Sequence, residues 1–285
     1  MRCITRLAVL SLCVAVMCSP SLFAADNEAS VGLNEYKLVL GPKVIKGVDD
    51  DASGLTFNSE TKTLFVAING APMLVELDLQ GDFKRTIRLK SFEDTEGVCW
   101  ISGDKYAVIE ERRRNLVVMD ISKEAESVDY ETALTFLIEP VAAGNLGIEG
   151  LTRDPKGQRF FIVKEKNPRK IYEVKIPAEQ GAKAIITTPW DIEKAAFGMT
   201  DLAGIHYDTK TGHLLILSDE SKCVVECTVD GKKMVSRLFL KEGSAGLTRT
   251  LQQPEGITMD DSGNLYICSE PNVLYVFARQ AKDPK

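Results

Sequence analysis

The chain has 285 residues, 44% of them hydrophobic, and a formal charge of −6 at pH 7. That acidic balance argues against a general nucleic-acid-binding surface. The length suits one sizeable closed domain and leaves no room for a second.

The first 25 residues carry Arg2 and Arg6, then an uncharged run from Leu7 to Met17, then small residues ending Phe23-Ala24-Ala25. This is the layout of a secretory signal, and it predicts a mature protein in the periplasm or cell envelope. The apolar stretch from Leu7 to Ala24 is also just long enough to span a bilayer, so an uncleaved anchor is the alternative. Membrane contact is expected only through this segment. Without Arg2 and Arg6 the formal charge becomes −8. Four cysteines remain in the mature part, Cys99, Cys223, Cys227 and Cys268. Cys223 and Cys227 stand too far apart along one extended strand for a disulfide, and all four read as small apolar fillers.

A lone apolar run, Tyr36 to Leu40, comes next. Five repeated units follow, each opened by a glycine at the head of a short apolar strand: Gly54, Gly97, Gly150, Gly204 and Gly256. The spacings of 43, 53, 54 and 52 residues fit four-stranded propeller blades. In each unit a turn of Asn, Asp, Ser and Gly leads to a second strand, which ends at Asn69, Glu110, Glu165, Asp219 or Glu270. β-Branched third strands follow from Leu74, Leu116, Ile171, Val224 and Val273. Residues 122–147 and 177–203 read as outer strands with connecting loops, and a short helical turn is predicted near Ile192 to Phe197. The last unit ends after its third strand, so the Tyr36 run is expected to supply its outer strand. The fold expected over residues 36–279 is an all-β, five-bladed β-propeller closed by an N-terminal strand completing the last blade.

In such a blade the start of the first strand and the end of the second share one rim. Two acidic columns therefore converge on one channel mouth. The first is Glu96, Glu149 and Glu255, with Ser53 and Ala203 in the other blades; the second is Glu110, Glu165, Asp219 and Glu270, with Asn69. Seven carboxylates around a narrow channel repel one another, and burial raises their pKa values unless a cation compensates. Oxygen donors without His or Cys select a hard cation, and a loose ring of carboxylates suits Ca²⁺ better than Mg²⁺. The bland alternative is that the acids cap backbone amides between blades. Hairpins leaving the same rim carry Arg112, Arg113 and Arg114, Lys164 with Lys166, Arg169 and Lys170, and Lys222. These cations suit an anionic small molecule above the metal, or are simply a solvated face.

The spacing of Asp49, Asp51, Ser53, Gly54 and Glu60 fits an EF-hand loop, but Gly54 belongs to the blade repeat and no helix is predicted beside it. His206 and His213 have no Ser or Cys near them in sequence for nucleophilic catalysis, so no catalytic residue is assigned. Trp100 and Trp190 read as packing residues.

With the Glu-Gly openers, the Gly54-Leu-Thr-Phe57 start, the Leu64 to Asn69 strand and the signal segment, the chain resembles the SdiA-regulated, YjiK-type β-propeller family. The resemblance implies a five-bladed propeller distantly similar to NHL-repeat propellers, a calcium site on the channel rim, a place at the cell envelope and a link to calcium homeostasis. By position, the family's calcium-binding role maps onto Glu96, Glu149, Glu255 and the second-strand acids, and blades one and four depart from it at Ser53 and Ala203. The function expected is a calcium-binding envelope propeller that acts as a binding or sensing module. A competing expectation is a calcium-dependent hydrolase, phytase-like or a lactonase, in which Glu165 or Glu110 positions water and Arg112 to Arg114 or Lys164 steady negative charge. A third is a platform for an envelope protein on the opposite face.

Overall fold

The computed structural model describes residues 29–138, 147–177, 183–195 and 197–280. The signal-like segment at residues 1–25 lies outside them. Among the described residues there is no α-helix, only two 3₁₀ turns, and no helix long and apolar enough to cross a membrane. The chain is all-β. The helical turn expected near Ile192 is a hydrogen-bonded turn at Asp191–Ala195, too short to repeat.

Five sheets, antiparallel except for one added strand in blade one, form the blades of a propeller. Their innermost strands are Ala52–Asn58, Thr95–Ser102, Ile148–Asp154, Gly204–Tyr207 and Pro254–Met259. Blades two and three gain short outer strands at Leu134–Leu137 and Ile185–Thr187, within the segments expected to hold them. Blade one has a fifth strand, Ser127–Asp129, which pairs in parallel with Phe83–Lys90. In blade five Tyr36–Val44 pairs antiparallel with Val273–Arg279, as in Tyr36↔Arg279 and Leu38↔Phe277.

Alternation along each strand sends successive side chains to opposite faces, and both faces are buried against neighbouring blades. In Thr63–Ile68, Leu64, Val66 and Ile68 pack with Tyr266 and Leu274 of blade five. Phe65 and Ala67 pack with Val98, Tyr106 and Val108 of blade two. Three further clusters fill the remaining blade interfaces. The core is therefore five wedges around an axis, and each wedge needs both its blades.

At the axis the glycines have a steric cause. A Cβ on Gly54 would lie 2.3 Å from the carbonyl of Glu96, and one on Gly97 2.8 Å from that of Glu149. One on Gly204 would meet the carbonyl of Glu255 at 2.5 Å, and one on Gly256 the backbone N of Leu55 at 2.7 Å. Each opener thus presses on the next blade's first strand. Hydroxyls add polar ties between neighbouring blades: Thr56 accepts from Trp100 N (3.0 Å), Thr152 from Tyr207 N (2.9 Å) and Thr258 from Phe57 N (3.2 Å). The axial void left is about 10 Å³, room for about one water. The channel is a plug between two mouths.

Candidate metal centre at the channel mouth

Glu96, Glu149 and Glu255 converge at one mouth, where Glu149 and Glu255 line the axial void. Burial, then the charges of Asp94, Glu111 and Glu270, push the Glu96 carboxyl up to about 8 against a hydrogen bond from Ser53. Burial, then Asp219, Glu270 and Glu96, push Glu255 up to about 9. Burial, then Glu96, Glu111, Glu255 and Glu165, hold Glu149 well above the ordinary carboxylate range. These are the signs of acids gathered in a poorly solvated cup.

The second column is placed differently in blade two. Glu110 is fully buried and turns away from the mouth: its Oε1 accepts from Glu93 N (2.8 Å) and Arg113 (3.3 Å). Its place is taken by Glu111. Thr95 pairs with Glu110 as Ala52 pairs with Ile68 and Ile148 with Lys164, so Glu111 is the counterpart of Asn69 and Glu165. The inner hairpin of blade two is one residue shorter than that of blade one, and a one-residue slip moves a side chain to the opposite face of a strand. Aligning Tyr106 with Phe65 in sequence hid that slip.

Glu111 completes a group the sequence reading missed. Asp94, Glu96 and Glu111 each offer a carboxylate oxygen within 4.8 Å of the other two. A calcium ion with oxygens at about 2.4 Å holds opposed ligands at most about 4.8 Å apart, so the spacing fits one hard cation. Among the described residues, Oε1 of Glu111 is buried without a hydrogen-bond partner. Burial, then the Asp94 charge, raise the Glu111 pKa against the nearby Gly147 amide, which lowers it. Asn69 Nδ2 donates to Glu96 Oε1 at 2.5 Å, and reversal of that amide would offer its oxygen instead. Arg112 pairs with Asp94 at 3.1 Å but is itself three-quarters exposed, so it neutralises the group weakly.

Three other rim acids already have side-chain partners. Lys166 bridges Glu165 (2.7 Å) and Glu220 (2.8 Å). Lys222 pairs with Asp219, and Gln253 donates to Glu270 at 2.7 Å. Asp201, buried in blade four, caps the amides of Asp219 and Glu220, so the capping role holds there. Among the described residues, Glu149 and Glu255 at the axis and Glu111 towards blade two have no cation or side-chain amide paired with them.

The basic hairpins contribute ion pairs to the rim. Arg113 pairs with Glu93 and Glu110 and lies 4.5 Å from the Tyr130 ring centroid. Arg169 forks onto Glu193. Lys164 is buried, donates to the carbonyl of Lys166, and is held below its ordinary pKa by burial. Arg114 turns the hairpin with φ of 56°.

Asp94 carried a signal in the sequence. Asp51, Asp94 and Asp201 each stand three residues before an opener glycine, a third acidic column of the same repeat.

A family model for SdiA-regulated proteins matches residues 28–278. The chain belongs to the SdiA-regulated family. Solved structures similar to this SdiA-regulated chain include luciferin-regenerating enzyme, at 11% identity and a TM-score of 0.53 over 85% of this chain and 94% of that one. A calcium-binding protein, regucalcin from Agrobacterium tumefaciens, is similar at 14% identity and a TM-score of 0.50 over 83% and 92%. The nidogen/laminin complex holds a chain similar at 14% identity and a TM-score of 0.50 over 78% and 73%. At these identities the likeness is one of fold.

Proposed function

We propose that this SdiA-regulated propeller binds Ca²⁺ at the blade-two side of its carboxylate mouth and serves outside the cytoplasm as a binding or sensing module. The observation that carries the reading is the approach of carboxylate oxygens of Asp94, Glu96 and Glu111 to within 4.8 Å of one another, beside a buried Glu111 Oε1 that has no hydrogen-bond partner among the described residues. Asp94, Glu96 and Glu111 would hold the ion, with Glu149 and Asn69 adjoining. The all-oxygen donor set favours a hard cation, and several carboxylates without strict octahedral geometry favour Ca²⁺ over Mg²⁺. The calcium-binding description of regucalcin, a protein of similar fold, supports the same ion. The bound ion would offset the mutual repulsion of the mouth acids. The extracytoplasmic place rests on the sequence of residues 1–25. Closure of the ring by Tyr36–Val44 belongs to this reading, supported by its pairing with Val273–Arg279.

Thermal melting in EDTA, in Mg²⁺ and in Ca²⁺ tests the ion, since a ligand that binds only the folded state raises Tm with its concentration. Ca²⁺ at millimolar levels is expected to raise Tm and Mg²⁺ to raise it less. An equal or larger rise in Mg²⁺ would reassign the ion, and no rise in either would remove the site.

A further inference from the structure

The mouth opposite the carboxylate rim holds a cavity of about 190 Å³, built where the five innermost strands end. Each blade contributes to it. Phe57, Trp100, Arg153, His206 and Tyr207 line it from blades one to four, and Met259 from blade five. The rings of Phe57, Trp100 and Tyr207 are only partly buried. Trp100 is steadied by its indole N–H on Gly103 O at 3.0 Å, and Tyr207 stacks on Phe161 at 6.1 Å with its plane tilted by 21°. The walls are therefore aromatic and fixed in place.

The charges divide unequally. Asp208 is occupied by the Thr211 amide and hydroxyl. Asp260 accepts from Ser262 N, Asn264 and Tyr266, and Asp261 pairs with Lys62 at 2.5 Å. All three carboxylates are thus bound within the protein. The two lining cations have no carboxylate partner among the described residues. Arg153 donates to Ile101 O at 3.2 Å and Lys210 to Asp261 O at 2.6 Å. A guanidinium carries five N–H donors in a fork that matches a carboxylate, so a half-buried Arg153 on one carbonyl keeps most of that capacity. His206, held down to about 4 by burial, is neutral and adds no competing charge.

We propose that this opposite mouth is a second binding site, for a small carboxylate with a flat apolar body. The carboxylate would take the free donors of Arg153, with Lys210 at the rim, and the body would lie against the aromatic walls. The cavity is below the usual range for drug-sized ligands, which limits the body to about one ring. The narrow axial plug separates this site from the acidic mouth, so the two bind independently.

Saturation-transfer NMR with benzoate, benzyl alcohol and benzylamine on the full chain tests the charge preference, and calorimetry with benzoate gives affinities. Benzoate is expected to bind with Kd of about 0.1–10 mM, and to weaken at least about tenfold in Arg153→Gln and about threefold in Lys210→Gln. Benzyl alcohol and benzylamine are expected to bind more weakly than benzoate, and Glu111→Gln to leave benzoate unchanged. Lys210 is exposed, so its variant and the wild-type charge series still decide the matter if Arg153→Gln does not fold. Benzylamine binding as tightly as benzoate, benzoate affinity unchanged in both variants, or no benzoate binding at about 20 mM would overturn the site.

Discussion

The side chain of Glu111 lies against the α-carbon of Gly147 in the next blade, where a methyl group would come 2.1 Å from its Cγ and 2.3 Å from its Oε1. Gly147 is therefore the space that lets Glu111 reach the mouth. Gly147→Ala is expected to displace Glu111, to shift the metal-free Tm by no more than about 4 °C, and to abolish most of the rise in Tm produced by Ca²⁺. A full calcium response in Gly147→Ala would remove Glu111 from the ligand set.

The acids of the mouth give the metal-free protein a distinctive pH dependence. Glu96 at about 8 and Glu255 at about 9 lie above the ordinary value of 4.5. Between about pH 5 and pH 9 the folded state holds protons that the unfolded chain has released, so stability falls as pH rises. It is fully present below the unfolded pKa and lost through the folded one. Melting in EDTA is expected to give a lower Tm at pH 9 than at pH 6 through this mouth, and Glu96→Gln with Glu255→Gln to flatten the slope. A slope unchanged in that double variant would show that other groups govern it.

Glu110 and Glu111 separate structure from binding. Glu110→Ala strands the Glu93 amide and part of Arg113, and is expected to cost about 1–3 kcal/mol of stability. Calcium affinity should change by less than about threefold, since Glu110 faces away from the ligand group. Urea unfolding and calorimetry on the one variant read both quantities. Loss of calcium binding with unchanged stability would restore Glu110 to the mouth.

Glu226 has the opposite kind of role. It is fully buried and accepts from Ser30 Oγ (2.8 Å), Val31 N (2.9 Å), His213 Nδ1 (2.8 Å) and Ser236 Oγ (2.5 Å). Burial pushes its carboxyl up, but bonds from His213, Ser236, Val31 and Ser30 outweigh burial and hold it below its ordinary value. It thereby fastens the segment ahead of Tyr36 to blade four. Glu226→Ala is expected to cost about 3–5 kcal/mol and to open residues 30–36 to hydrogen exchange. Unchanged protection there would mean that the strand pairing alone holds the segment.

The blade repeat was legible because each opener glycine answers one steric need, the approach of a neighbouring backbone, and so recurs in all five units. Third strands were found within a residue of their observed starts, since β-branched residues mark strands filled on both faces. The mouth was legible only to within one residue. Tyr106 resembles Phe65 in type, but hairpin length, not residue type, sets the face a side chain takes. Pairing of rim acids with Lys166 and Lys222 was also hidden, because which of several hairpin cations reaches which acid depends on rotamers and blade spacing. The cavity around Arg153 was not legible as a site: its residues fall at the ends of five separate strands, and the threonines of the Gly54-Leu-Thr56, Gly150-Leu-Thr152 and Gly256-Ile-Thr258 openers read only as strand residues.

The most direct measurement is calorimetric titration of Ca²⁺ into the wild-type chain, Glu111→Gln and Asp219→Asn. The wild type is expected to bind with Kd of about 10⁻⁴–10⁻³ M, Glu111→Gln to lose at least about tenfold, and Asp219→Asn, whose acid is paired with Lys222, to bind nearly as the wild type. Equal losses in both variants, or no binding by the wild type at millimolar Ca²⁺, would contradict a calcium site on the blade-two side of the mouth.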